Sequence, residues 1–162
     1  NSSCGICGSQ VVDGIGSLQQ YHSLKSDFLV TESVLRTLPD RLQKQQDAFS
    51  HTGGLHASAL FDQQGSILSL YEDVGRHNAL DKLIGSELQK NNLPLLECGL
   101  ILSGRTSFEL IHKAALAGIP IVVSIGAPSS LAIDAAWEYE ITLAGFLQAD
   151  RFNIYSFPRR IK

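Results

Sequence analysis

The sequence predicts a layered α/β domain in which much of the sheet is parallel. Three observations lead there. Apolar runs of strand length alternate with helix-length stretches from residue 56 onward. Short glycine-containing turns separate them. Two successive units read strand, turn, helix, which is the order that joins parallel strands through a crossover helix. The 162 residues suffice for one domain that buries roughly 70% of its unfolded surface.

The elements follow in chain order. Residues 1–17 are rich in glycine and serine and read as a cysteine-bearing loop with one short strand at most; residues 18–162 read as the domain. Thr31-Glu32-Ser33-Val34-Leu35 begins a short helix. Pro39 is expected to open a second one, because proline fits a first helical turn, with Leu42 and Phe49 on its buried side. After the Thr52-Gly53-Gly54 turn, His56–Phe61 and Ser66–Tyr71 flank Asp62-Gln63-Gln64-Gly65, a hairpin signal. His77–Ile84 is helical. Gly99–Leu102 is a buried strand, and the helix after it runs through Ala117 and closes at Gly118. Pro120–Ile125 is the next strand, Leu131–Trp137 the next helix, and Ile141–Phe146 and Asn153–Tyr155 the last strands.

Composition removes several function classes. With a formal charge of −3, 44% hydrophobic and 18% charged residues, nothing favours nucleic acid or a membrane surface as partner. The one locally basic stretch, Phe157-Pro158-Arg159-Arg160-Ile161-Lys162, reads as a solvated end. Three cysteines are too few for an oxidised scaffold, which places the chain in a reducing cytosol. No apolar run approaches the ~20 residues of a membrane span. The best motif begins at Ser3, so the chain is expected to be a fragment whose natural N-terminal part is missing.

That motif is Cys4-Gly5-Ile6-Cys7. A zinc site needs four ligands, and Cys98, inside the apolar run Leu95–Leu102, is a poor third. A thioredoxin-type dithiol would open a helix, which the glycine after each cysteine disfavours. The third reading is a mobile nucleophilic thiol that accepts sulfur as a persulfide. All three stay open on the residues alone. Three turns carry further chemistry, because ligands of open α/β sheets bind at strand C-termini against the following helices. Ser103-Gly104-Arg105-Thr106-Ser107 offers hydroxyls, backbone N–H groups and a guanidinium to an anion; Gly126-Ala127-Pro128-Ser129-Ser130 lies beside it. Tyr71-Glu72-Asp73-Val74-Gly75-Arg76-His77 brings two carboxylates, an arginine and an imidazole between a strand and a helix. The plain alternatives are that Thr106 and Ser129 are N-caps and that Glu72 and Arg76 form a surface pair.

Four blocks carry a resemblance: Ser3-Cys4-Gly5-Ile6-Cys7-Gly8, Thr52-Gly53-Gly54-Leu55-His56-Ala57-Ser58-Ala59, Glu72-Asp73-Val74-Gly75-Arg76-His77-Asn78-Ala79-Leu80-Asp81-Lys82 and Ser103-Gly104-Arg105-Thr106-Ser107-Phe108-Glu109. In this order, across nearly the whole chain, they resemble the formate dehydrogenase accessory sulfurtransferase family (FdhD). The resemblance implies a three-layer α/β/α sandwich with a mixed sheet, cytidine-deaminase-like. It implies no deaminase chemistry, which uses His-x-Glu and Pro-Cys-x-x-Cys to hold zinc. Here His56-Ala57-Ser58 lacks the glutamate and Ser103–Ser107 stands where the cysteines would be, so no zinc is expected. It further implies a cytoplasmic sulfurtransferase that takes persulfide sulfur from a cysteine desulfurase. The sulfur goes to the molybdenum (or tungsten) bis-pyranopterin guanine dinucleotide cofactor for formate dehydrogenase, and a homodimer fits a ligand with two such arms. By matching positions Cys4 is the carrier and Cys7 its helper, and the cofactor-binding segment is Phe146-Leu147-Gln148-Ala149-Asp150-Arg151. Arg105, Thr106 and Ser107 are candidates for its phosphates, with Arg76 and His77 nearby. The rivals are a cofactor-binding chaperone whose cysteines are structural or redox-sensing, a zinc hydrolase, and a disulfide oxidoreductase.

Overall fold

A computed structural model describes residues 26–46, 49 and 52–162. Cys4, Cys7 and the predicted cysteine-bearing loop 1–17 lie outside the described residues.

Helix α1 spans Glu32–Gln45, with Thr31 as N-cap accepting from the Val34 N–H at 3.3 Å. One helix continues through Pro39, which corrects the expectation that Pro39 opens a second helix. An interior proline costs about 3 kcal/mol. Leu35, Leu38 and Leu42 are all fully buried on one stripe, and each contributes about 1.5–3 kcal/mol. Their joint burial outweighs the proline. Phe49, expected on this helix, lies beyond its end and donates its N–H to the Glu72 carboxylate at 2.9 Å.

Strands β1 (His56–Phe61) and β2 (Ile67–Asp73) form the predicted hairpin. Its turn is built by Asp62, whose Oδ1 accepts from the N–H of Gln64 and Ser66 at 2.9 and 2.8 Å. Gly65 then takes φ +76°, which favours a residue without Cβ. Helix α2 (Arg76–Gln89), β3 (Gly99–Leu102), α3 (Phe108–Leu116), β4 (Ile121–Ser124), α4 (Ser130–Glu138), β5 (Thr142–Gly145) and β6 (Asn153–Ser156) follow. The single sheet has the order β2-β1-β3-β4-β5-β6. Pairs β3–β4 and β4–β5 are parallel; β1–β2, β1–β3 and β5–β6 are antiparallel.

Two apolar clusters show the three layers. Leu80 and Leu83 of α2, Leu110 and Ile111 of α3 and the alanines of α4 pack with Leu60, Leu100, Leu102 and Val122 on one face. Leu35, Leu38 and Leu42 of α1 pack with Ala57, Ala59, Ile101 and Val123 on the other. Alternate residues of each strand supply the two cores, so the central strands β3 and β4 are buried throughout. Cys98 belongs to the first cluster and is 5% exposed, as its apolar surroundings predicted.

The basic tail is not a solvated end. Val30 N–H donates to the Arg160 carbonyl at 3.0 Å and Lys162 N–H to the Val30 carbonyl at 2.9 Å, and the Arg160 side chain is buried, donating to the Glu140 carbonyl at 2.8 Å and to Thr142 Oγ1 at 3.3 Å. No helix among the described residues is long and apolar enough to cross a membrane.

Candidate functional site

Because β1 is antiparallel to both neighbours, its start, the end of β2 and the ends of β3, β4 and β5 meet at one edge of the sheet. The turns singled out in the sequence all lie there, and backbone hydrogen bonds stitch them together. Gly126 donates to the Gly104 carbonyl at 3.2 Å, Thr106 to Ala127 at 3.1 Å and Ser129 to Thr106 at 2.9 Å. The next turn joins through Phe146 donating to Gly126 at 3.1 Å and Leu147 to Ser124 at 3.0 Å. Gly126 is where the approach is closest: a Cβ there would lie 2.8 Å from Arg105 N and from Gly104 C and O.

Asp73 shapes the turn from β2 into α2. Its carboxylate meets Lys82 Nζ at 2.5 Å and accepts from the Gly75 N–H at 2.9 Å and from Asn78 at 3.2 Å. The Lys82 hydrogen bond, then the Gly75 N–H, hold its pKa down at about 2. That turn delivers Arg76 and His77 as the first two residues of α2.

His77 is the hinge of the site. Its Nε2 is 2.9 Å from Ser107 Oγ and 3.7 Å from Glu109 Oε2, so the start of α2 is bound to the start of α3. Burial pushes the imidazole below its ordinary value, against the opposing pull of Glu109. Burial acts to raise Glu109, yet Lys113, 2.8 Å away, together with His77 and Arg76 holds it below the usual carboxylate range. Lys113 also meets Asp81 at 2.8 Å.

Ser107 occupies the N-cap position of α3, but its hydroxyl makes no capping bond. It is turned to His77 instead. Thr106, read as a possible cap, is not one: it is 1% exposed and its Oγ1 has no partner among the described residues. Ser129 does cap α4, accepting from Ala132 at 3.2 Å. Arg105 is exposed.

The segment 146–151 stands at the same edge on the α1 side. Phe146 is exposed with φ +53°, whereas the Leu147 side chain is 1% exposed within the α1-side core. With its N–H bonded to Ser124, Leu147 has only its carbonyl to offer a ligand. Gln148 N–H donates to the Arg151 carbonyl at 2.9 Å and Arg151 Nε to Gln148 Oε1 at 3.1 Å, closing a turn that leaves Ala149 and Asp150 exposed. Arg36 of α1 donates to the Asp150 carbonyl and lies 5.6 Å above the Phe152 ring. Between the start of α1 and residues 150–155 an open groove of about 550 Å³ is lined by Glu32, Arg36, Arg151, Phe152 and Tyr155 among others.

The structure thus brings Arg76, His77, Thr106 and Ser107 together and sets 146–151 apart on the other side. It adds residues that the sequence reading missed: Glu32 and Arg36, whose spacing of four was the available signal, and Ser58, whose place only the sheet reveals. His56-Ala57-Ser58 lies in strand β1, and His77-Asn78-Ala79 lies at the start of α2. No three of His, Cys, Asp and Glu among the described residues converge where a metal ion would fit. Cys98 is buried, and burial pushes its thiol up to about 12, the setting of a structural cysteine.

The chain is similar to known proteins. "Sulfur carrier protein FdhD" of Sulfolobus acidocaldarius is 48% identical over 161 residues, covering 99% of the chain and 61% of the relative. The protein of that name from Streptomyces coelicolor is 47% identical, covering 99% of the chain and 57% of the relative. The chain therefore spans about three fifths of these relatives' length. A solved protein from Desulfotalea psychrophila, assigned as a formate dehydrogenase accessory protein, superimposes with a TM-score of 0.77 at 28% identity over 87% of this chain and 62% of that one. A guanine deaminase from Nitrosomonas europaea shares the fold alone, with a TM-score of 0.50 at 13% identity over 82% of this chain and 86% of that one. The family model for FdhD/NarQ matches residues 1–162, and with this match the chain belongs to the FdhD/NarQ family.

Proposed function

We propose that the chain is the sulfur-carrying part of a sulfurtransferase, with Cys4 as the carrier thiol. The observation that carries this reading is a pair of cysteines, Cys4 and Cys7, inside a full-chain match to relatives named as sulfur carriers. In the first step the Cys4 thiolate attacks the outer sulfur of a persulfide on a cysteine desulfurase. A Cys4–sulfur bond forms, the donor's S–S bond breaks, and the donor leaves as a thiolate, by the rules of thiol–disulfide exchange. Cys7 assists as the neighbouring thiol. Cys98 is unsuited to the task, being buried and held in its protonated form.

The recipient in this reading is the molybdenum (or tungsten) bis-pyranopterin guanine dinucleotide, bound as substrate and destined for formate dehydrogenase. The joined turns at the sheet edge support it. Arg76 and Arg105 supply positive charge, the α3 N-terminus supplies backbone donors, and 146–151 with Arg36 borders a groove of about 550 Å³. A cytoplasmic homodimer fits a ligand with two nucleotide arms.

The test is intact-mass measurement after incubation with a cysteine desulfurase and cysteine. A reductant-labile gain of one sulfur atom is expected for the wild type and for Cys98→Ala, and no gain for Cys4→Ala. A wild type that takes up no sulfur but still binds the cofactor would replace this reading with a cofactor-binding chaperone.

A further inference from the structure

We propose that Arg36 of α1 is a positioning residue for the bound cofactor: it holds the 146–151 turn from outside, so that the ligand meets a turn already closed. This role rests on the cofactor half of the reading above. It falls to a residue outside every motif that the sequence singled out.

The first half of the segment is fixed by the sheet. Phe146 and Leu147 donate to the carbonyls of Gly126 and Ser124, and the Leu147 side chain is buried in the α1-side core. Beyond Leu147 the chain leaves the sheet, and Gln148, Ala149, Asp150 and Arg151 are exposed. Two bonds between Gln148 and Arg151, one of them to the Arg151 carbonyl, close the turn on itself. An exposed turn closed by its own ends has little to keep it in one shape.

Arg36 supplies the outside hold. One terminal nitrogen of its guanidinium donates to the Asp150 carbonyl. The guanidinium carbon lies 5.6 Å from the centre of the Phe152 ring, within cation–π range. Its other terminal nitrogen is 3.6 Å from the Glu32 carboxylate, which sits in the first turn of α1, where negative charge is favoured. Residues 150 and 152 flank Arg151, so the two contacts grip the main chain on both sides of the carbonyl that accepts from Gln148.

The brace is itself anchored. Leu35, Leu38 and Leu42 of α1 are fully buried, and the Glu32 N–H donates to the Lys162 carbonyl at 2.8 Å. A turn tied to such a helix inherits its precision, as a turn tied to another loop would not.

Charge argues for positioning over attraction. The charged residues lining the groove are Glu32, Asp150, Arg36 and Arg151, two of each sign. A groove so balanced gives an anion little steering. The Arg36 guanidinium is moreover already committed to a carbonyl, a ring and a carboxylate. Its contribution is the fraction of molecules whose turn is ready to bind, and apparent affinity scales with that fraction.

The experiment titrates wild type, Arg36→Ala and Arg36→Lys with guanosine diphosphate, a fragment of the proposed recipient. Calorimetry reads affinity, stopped flow reads the rates, and NMR reads the Gln148 amide. Arg36→Ala should bind about tenfold more weakly, a charge-assisted hydrogen bond being lost, with Tm within about 3 °C of wild type. The loss should lie in association, because fewer molecules are competent. The Gln148 amide should shift in the free variant and return to its wild-type position at saturation. Arg36→Lys keeps the charge but lacks the flat fork, so it should bind as weakly as Arg36→Ala. Wild-type affinity in Arg36→Ala would overturn the proposal. So would wild-type affinity in Arg36→Lys, which would make the charge act on the ligand, or a loss lying wholly in faster dissociation, which would make the contact direct. Affinity and Tm falling together would reduce Arg36 to a structural residue. A wild type that binds no guanosine diphosphate removes the cofactor reading and this role with it; wild-type binding that Arg36→Ala leaves unchanged removes this role alone.

Discussion

The two sides of the site edge are built by different means. On the α2–α3 side the shape depends on side chains: His77 joins Ser107, Asp73 joins Lys82, and Lys113 bridges Asp81 and Glu109. Three buried polar atoms, Arg76 Nε, Thr106 Oγ1 and Ser58 Oγ, have no partner there among the described residues. On the α1 side the 146–151 turn is held by backbone bonds to Gly126 and Ser124, by its own Gln148–Arg151 closure and by Arg36 on the Asp150 carbonyl. Its side chains other than Leu147 are exposed. One half is thus a bonded polar cluster sensitive to protonation, and the other an open groove whose course the main chain sets.

Gly126 couples the halves, since its loop is bonded to both. Gly126→Ala should have the largest effect: the added carbon meets backbone at 2.8 Å, and overpacking of this kind costs about 1–3 kcal/mol. Urea unfolding should show the lower midpoint, and a midpoint unchanged from wild type would break the idea of a tight joint.

The pH response should separate the halves next. His77 and His112 are both pushed below their ordinary value, in each case mainly by burial. Their unfolded forms therefore bind protons first, so stability is full above an unfolded pKa of about 6.5 and is lost as pH falls through the folded values. Replacing either histidine with glutamine should flatten the fall in Tm between about pH 7 and pH 5. An equally steep fall in His77→Gln would assign the effect to His112 alone.

The smallest effect belongs to the α1 side. Arg36 is partly exposed and its Glu32 partner lies 3.6 Å away on the surface, so Arg36→Ala should change stability by under about 1 kcal/mol. Amide exchange should nonetheless quicken at Gln148, which depends on the turn that Arg36 braces. Unchanged exchange would show that the turn closes without α1.

Much of this was legible because the signals are local. Gly99–Leu102 is the strand expected, Asp62–Gly65 the turn expected, and Gly118 closes α3 with φ +78°. What escaped depends on partners distant in sequence. Pro39 reads as a helix start until Leu35, Leu38 and Leu42 are seen packed in one core. Thr106 reads as a possible cap, whereas Ser107 takes the N-cap position; that its hydroxyl is claimed by a histidine 30 residues away is a fact about how α2 lies beside α3. The tail reads as solvated because nothing near it in sequence shows that Arg160 will be buried.

By itself the sequence determined the alternation of strands and helices, the turns that meet at one edge, the inert setting of Cys98 and the family, because hydrophobic period, turn chemistry and motif spacing are properties of neighbouring residues. Only the tertiary structure decided that His77 faces Ser107, that Thr106, Ser58 and Arg76 have buried polar atoms with no partner among the described residues, and that 146–151 stands on the opposite side. Those are matters of which groups share a desolvated space, and that is settled when helices pack on a sheet rather than along the chain.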